Sequence, residues 1–168
     1  MDNRGADFKL KRPKFGIFLA VLYFVVAAGF TAYIFMPKIA DASSEERLFM
    51  PSISLIARVK DIEQQGRSLI APDTIAGAYK SSPRKTVIIG HSSTIFKDLK
   101  DLSYGDNFTF DNQKYEVKRI EIIEKSTIDM SDVVKDTPVK TVVLMTCYGE
   151  PLGGQDYTHR LIITAEEV

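Results

Sequence analysis

The chain has 168 residues and a formal net charge of zero, 22 Lys and Arg against 22 Asp and Glu, with one Cys, two His and no Trp. That length holds one ordinary domain and an appendage, not two full domains, and the balanced charge offers no footprint for nucleic acid. One Cys excludes an intramolecular disulfide and a Cys-based zinc cluster, and two His are too few for the commoner His-rich metal sites.

The neutral sum hides an asymmetry. Residues 1–14 hold five positive charges (Arg4, Lys9, Lys11, Arg12, Lys14) and two negative ones (Asp2, Asp7), a net +3 that leaves the remainder at −3. Phe15 to Met36 then runs for 22 residues without a charge. At about 1.5 Å per residue a helix of that length spans about 33 Å, enough to cross a hydrocarbon core of about 30 Å. A single transmembrane helix at 15–36 is the expectation. The positive-inside rule puts the basic tail, 1–14, in the cytoplasm and everything beyond Lys38 on the extracellular face of the cell membrane. A cleaved signal peptide is the competing reading, since Ala40-Asp41-Ala42 has small-x-small spacing, but its apolar core is ordinarily shorter. Residues 37–48 read as a linker or stalk. Ser43 and Glu46 have the spacing of a capping box, which suggests a short helix there.

Residues 49–168 read as the outward domain, mostly in strands. Ser52 to Val59 alternates, with Ile53, Leu55, Ala57 and Val59 on one face. Thr86 to Gly90 is a short buried-type strand. Asn107 to Phe110, then Asp111-Asn112, then Gln113 to Glu124 reads as a hairpin. Lys140 to Cys147 and Tyr157 to Glu166 are two further strands. Helical patterns are short: Thr74 to Tyr79, Ile95 to Leu102 and Met130 to Lys135. Many short strands between turn signals predict a mainly all-β domain, a closed or nearly closed β-barrel with short helices in its connections.

Three residues carry candidate chemistry. Cys147 ends a strong apolar strand and is followed by Tyr148-Gly149 and a loop with Pro151, Gly153 and Gly154. A strand end opening into such a loop holds a side chain rigidly yet accessibly; a buried structural Cys is the alternative. His91 follows the strand Val87-Ile88-Ile89-Gly90, and could equally be a surface histidine. Arg160 lies near the start of the last strand, where alternation puts it on the opposite face from His159 and Leu161; a solvated edge charge is the alternative.

Taken together, Gly90-His91, Val143-Leu144-Met145-Thr146-Cys147 and Arg160 resemble, in that order, the sortase pattern: a His just after a strand, a Thr-Leu-x-Thr-Cys strand end, and an Arg on the next strand. The chain departs from it with Val143 in place of Thr, and with Ser92 where Arg usually follows the His. Lys97 to Asp106 also looks like the family's segment after the histidine, so the resemblance runs from about Phe49 to Val168, and the basic tail with one anchor fits it.

The resemblance implies a sortase-like closed barrel and a cysteine transpeptidase. Such an enzyme cleaves a Leu-Pro-x-Thr-Gly type sorting motif near the C-terminus of a secreted protein. It passes the acyl group to an amine on cell-wall peptide or on a pilin-like subunit. Cys147 would be the nucleophile and thioester carrier, His91 the general acid and base, and Arg160 the donor to the oxyanion. Thr146 would contact the sorting motif, and residues 126–140 would shape the groove. No cofactor is implied beyond calcium in some relatives, for which Asp129, Asp132 and Asp136 are candidates by type. His159 is the rival for the base, and its motif position argues against it. Two other functions stay open: an anchored cysteine hydrolase with water as acceptor, and a non-catalytic barrel that binds an extended peptide along a sheet edge.

Overall fold

The computed structural model describes residues 46–66, 68–154 and 156–168. The expected basic tail, the apolar span at 15–36 and the segment up to residue 45 lie outside the described residues. Among the described residues, no helix is long and apolar enough to cross a membrane.

Eight strands close into one barrel: β1 (Glu46–Met50), β2 (Leu55–Asp61), β3 (Ala76–Ser82), β4 (Lys85–Ile89), β5 (Asn107–Phe110), β6 (Gln113–Glu124), β7 (Thr141–Gly153) and β8 (Asp156–Glu167). Their ring order is β1-β2-β3-β4-β7-β8-β6-β5. The pairs β2–β3 and β4–β7 are parallel, and the other neighbours are antiparallel. A parallel pair cannot be joined by a tight turn, so each forces a long connection. Residues 62–75 make the first. The chain from Gly90 to Lys140, which contains β5 and β6, makes the second.

Strand alternation gives the barrel its core. Leu48, Met50, Ala57, Val59, Ile88, Phe108, Val117, Val142, Leu144, Leu161 and Ile163 are each at most 3% exposed and pack together. Phe108 and Tyr115 sit opposite each other on β5 and β6, with ring centroids 5.7 Å apart. A second cluster lies on the outer face of the same wall. Val87, Ile89, Val143 and Ile162 are buried there beneath Ile62, Leu69 and Ala71 on one side and Ile128, Val133 and Val134 on the other. Strands β4, β7 and β8 are therefore covered on both faces. That is why β4 and β7 read as continuous apolar runs rather than alternating ones.

The hairpin at 107–124 forms as expected. Asp111 and Asn112 take φ of 48° and 59°, the two positive values of a type I′ turn. Elsewhere the expectations need correction. The stretch read as stalk runs into β1, which begins at Glu46: Leu48 and Met50 face the core while Arg47 and Phe49 face out. The strand expected from Ser52 starts at Leu55, because Pro51 opens a 3-10 turn over Pro51–Ile53 and Ser54 follows in the left-handed region at φ 53°.

Two expected helices differ as well. Thr74 to Tyr79 leads into β3, whose Ala76, Gly77 and Ala78 are buried between β2 and β4. Pairing on both edges overrides the local preference of alanine for helix. Ile95 to Leu102 is a chain of turns ending in a 3-10 turn, Leu99–Asp101. Its buried residues Phe96, Leu99 and Leu102 are spaced by three, the 3-10 repeat. The third helix forms as α1 (Met130–Val133), capped by the Asp129 carboxylate, which accepts from the Ser131 N–H at 2.9 Å.

Candidate active site

Parallel pairing of β4 with β7 sets Ile89 beside Met145, and the Gly90 N–H donates to the Met145 carbonyl at 3.3 Å. One residue on, the Thr146 hydroxyl donates to the Gly90 carbonyl at 2.7 Å. These bonds carry the two chains side by side to His91 and Cys147. On the other flank of β7, Cys147 pairs directly with Arg160 of β8. Directly opposed residues of an antiparallel pair present side chains on one face about 5 Å apart. The inward neighbours of the two, Thr146 and Leu161, are buried at 5% and 2% exposure, so Cys147 and Arg160 share the outer face.

The three candidates line one cleft of about 240 Å³, together with Leu69, Ile70, Ala71, Ile89, Gly90, Met145 and Thr146. It opens at the end of the outer apolar cluster, beside the β2–β3 connection. A second cavity, about 650 Å³, lies between Gln64 of that connection and the segment from Ser126 to Val134.

His91 is placed by its backbone. Its carbonyl accepts from the N–H groups of Thr94 at 3.2 Å and Phe96 at 3.0 Å, so the chain turns sharply at the histidine. Gly90 permits the turn: a Cβ there would lie 2.5 Å from Ile95 Cγ2 and 2.8 Å from Phe96 Cδ2. The His91 Nε2 atom is buried and has no hydrogen-bond partner among the described residues.

Arg160 is folded back against the start of its own strand. Nη1 donates to the carbonyls of Tyr157 at 3.0 Å and His159 at 2.9 Å, and Nη2 donates to Asp156 Oδ1 at 3.0 Å. The other carboxylate oxygen of Asp156 accepts from Lys125 Nζ at 2.6 Å. Lys125 first, and Arg160 second, hold the Asp156 carboxyl at about 2, below its ordinary 3.8.

The remaining expectations fall as follows. Thr146 borders the cleft, but its hydroxyl is spent inside the protein on Gly90. His159 is not among the residues lining the cleft, and its Nδ1 shares a 2.8 Å hydrogen bond with the Thr158 hydroxyl. The loop expected after Tyr148 is instead an extension of β7 to Gly153, with its register broken at Tyr148/Pro151 and Pro151/Gly153. Gly149, at φ 87°, makes this possible, since a Cβ would lie 2.5 Å from Thr158 Oγ1. Of the three acids considered for calcium, Asp129 caps α1 and Asp136 is bound to Ser82 and Arg84; among the described residues no group of three His, Cys, Asp or Glu is arranged to hold a metal. Sequence reasoning missed Asp156, Lys125 and the apolar wall Leu69 to Ala71. An Asp four positions before an Arg carries a signal on a helix, but none on a strand.

A family model described as the sortase domain matches residues 48–168. Among solved structures, the chain is similar to a lid mutant of sortase A from Corynebacterium diphtheriae, at 21% identity over 79% of this chain and 74% of that one, TM-score 0.60. It is similar to sortase A of Listeria monocytogenes at 18% identity, over 74% and 86% of the two chains, TM-score 0.56. It is similar to sortase C-1 of Actinomyces oris at 25% identity, over 84% and 82%, TM-score 0.56. No curated protein matches it.

Proposed function

This chain belongs to the sortase family of cysteine transpeptidases, and from that membership we propose that it cleaves a Leu-Pro-x-Thr-Gly-like sorting motif through a thioester on Cys147. The observation that carries the reading is the shared cleft of His91, Cys147 and Arg160 at the ends of β4, β7 and β8.

In this reading the Cys147 thiolate adds to the scissile carbonyl carbon. The negative charge gathering on the carbonyl oxygen meets N–H donors of Arg160. The C–N bond then breaks, and His91 as imidazolium gives its proton to the departing amine, which leaves a thioester. A second amine attacks that thioester, neutral His91 takes its proton, and the Cys147 thiolate is released.

The apolar wall Leu69, Ile70, Ala71 and Met145 suits the aliphatic part of the motif, and the cavity at Ser126 to Val134 suits its extension. Acceptors are amines of cell-wall peptide or of a pilin-like subunit. Residues 15–36 anchor the chain, with 1–14 in the cytoplasm and the barrel outside.

The test incubates the full-length chain with such a peptide, with and without an added amine. Intact-mass spectrometry should catch the acyl adduct on wild type and none on Cys147→Ala, and amine should divert the product from acid to amide. Unchanged cleavage by Cys147→Ala would refute the mechanism. Acid alone at high amine would make the protein a hydrolase.

A further inference from the structure

We propose that Asp156 is a positioning residue for the acyl-transfer reaction: it clamps the Arg160 guanidinium so that two N–H donors remain for the carbonyl oxygen under attack. The inference rests on the role read above for Arg160, and adds how that role is enforced.

A guanidinium has five N–H donors. Nη1 of Arg160 uses both of its own on main-chain carbonyls, Tyr157 and His159, and Nη2 uses one on Asp156. Among the described residues, one N–H on Nη2 and the one on Nε are left. The two carbonyls belong to the backbone of the hairpin, so Asp156 is the sole side chain in the clamp among the described residues. It is itself held on three sides. Oδ1 accepts from the Tyr157 N–H at 3.0 Å as well as from Arg160, and Oδ2 accepts from Lys125.

Lys125 opens the 3-10 turn that follows β6, and the last two residues of β6, Ile123 and Glu124, pair with Arg160 and His159. The carboxylate therefore ties the hairpin start to the neighbouring strand end. An exposed ion pair alone would fix little. Here the Arg160 side chain is 17% exposed and three acceptors converge on it, so its rotamer is set. Asp156 stays ionised far below neutrality, so the clamp does not release over a working pH range.

The experiment is a double-mutant cycle in the full-length chain, with single-turnover acylation and steady-state transfer as readouts. Loss of orientation near a reacting group is worth up to about 100-fold. Asp156→Ala should lower kcat ~10- to 100-fold with KM within about twofold. Asp156→Asn, which keeps an acceptor for Nη2, should lose less than about tenfold. Lys125→Met removes one of the contacts that hold the Asp156 carboxylate and leaves its bond to Arg160, so it should lose less than Asp156→Ala. In an Arg160→Ala background, Asp156→Ala should have no further effect, the signature of a residue acting through its partner.

An Arg160-dependent enzyme indifferent to Asp156→Ala overturns this inference alone. So does an equal loss from Asp156→Ala with and without Arg160, which would mark a purely structural role. If Asp156→Ala does not fold, Asp156→Asn in the same cycle decides. A wild-type chain that forms no thioester defeats the functional reading and this one with it.

Discussion

Replacing Thr146 with Val tests how the site is assembled. The two side chains have nearly the same shape, so packing is kept and only the hydroxyl goes. In wild type that hydroxyl is 2.7 Å from the Gly90 carbonyl, and Thr146 is 5% exposed. The variant therefore leaves a buried carbonyl without its partner, at a cost of ~1–3 kcal/mol. A barrel of this size unfolds with an entropy of about 0.25 kcal/mol per degree, so the melting temperature should fall by ~4–12 °C. Gly90 is the residue before His91, so loosening it also displaces the ring, and transfer should slow ~10-fold or more. Thr146→Ser keeps the hydroxyl and should stay near wild type in both measures. Circular dichroism melts and peptide transfer rates read the two effects. A Thr146→Val protein that melts like wild type but binds peptide more weakly would refute the argument. It would return Thr146 to the substrate-contact role that the family resemblance implies.

Two further outcomes follow from the same geometry. Gly90→Ala puts a methyl group 2.5 Å from Ile95 and 2.8 Å from Phe96, a ring only 1% exposed that has no room to yield; overpacking of this kind should cost ~1–3 kcal/mol and slow transfer, read by the same melts and rates. Acid unfolding tests the Asp156 clamp. Its carboxyl lies at about 2 in the folded chain against an ordinary 3.8, so its stabilising contribution is complete above 3.8 and is lost as pH falls toward 2. Asp156→Asn cannot titrate, so its stability deficit relative to wild type should hold steady down to about pH 4 and shrink below it; a deficit that ignores pH throughout would refute the ion pair.

The parts legible in the sequence were those with one dominant local signal. Asp111-Asn112 between two alternating runs announced its hairpin, because few residues accept positive φ in succession. The runs at 86–89 and 142–147 were legible as strands because they are covered on both faces, although nothing in them says what covers them. The single Cys, and a His just after a strand, could be picked out by type and position. What stayed hidden depended on pairing. Glu46 to Met50 is five residues with two charges, and becomes a strand only because β2 and β5 flank it. Ala76 to Ala78 has helical composition and extended geometry for the same reason. Asp156 is a further case, since its role follows from where β6 ends, which lies outside its own neighbourhood in the chain.

The site's position follows from the topology. An antiparallel ring of eight strands could be closed with short turns and an exposed outer face. Two parallel pairs forbid that, and the connections they require are the segments that cover the outer face of β4, β7 and β8. The cover is incomplete. It protects Val87, Ile89, Val143 and Ile162, but His91, Cys147 and Arg160 lie one step further along the same face of their strands, where the cover gives way to the cleft. A thiol there has an apolar wall on one side and solvent on the other. Its neighbours are fixed by strand register rather than by loop conformation: Arg160 by direct pairing, His91 by the continuation of a parallel ladder through Gly90. Register tolerates no gradual adjustment, because a slip of one residue turns each side chain to the opposite face. The internal bonds at Gly90 and the clamp on Arg160 are accordingly the adjustable parts of the site, and substitutions at Thr146 and Asp156 should alter rate before they alter fold.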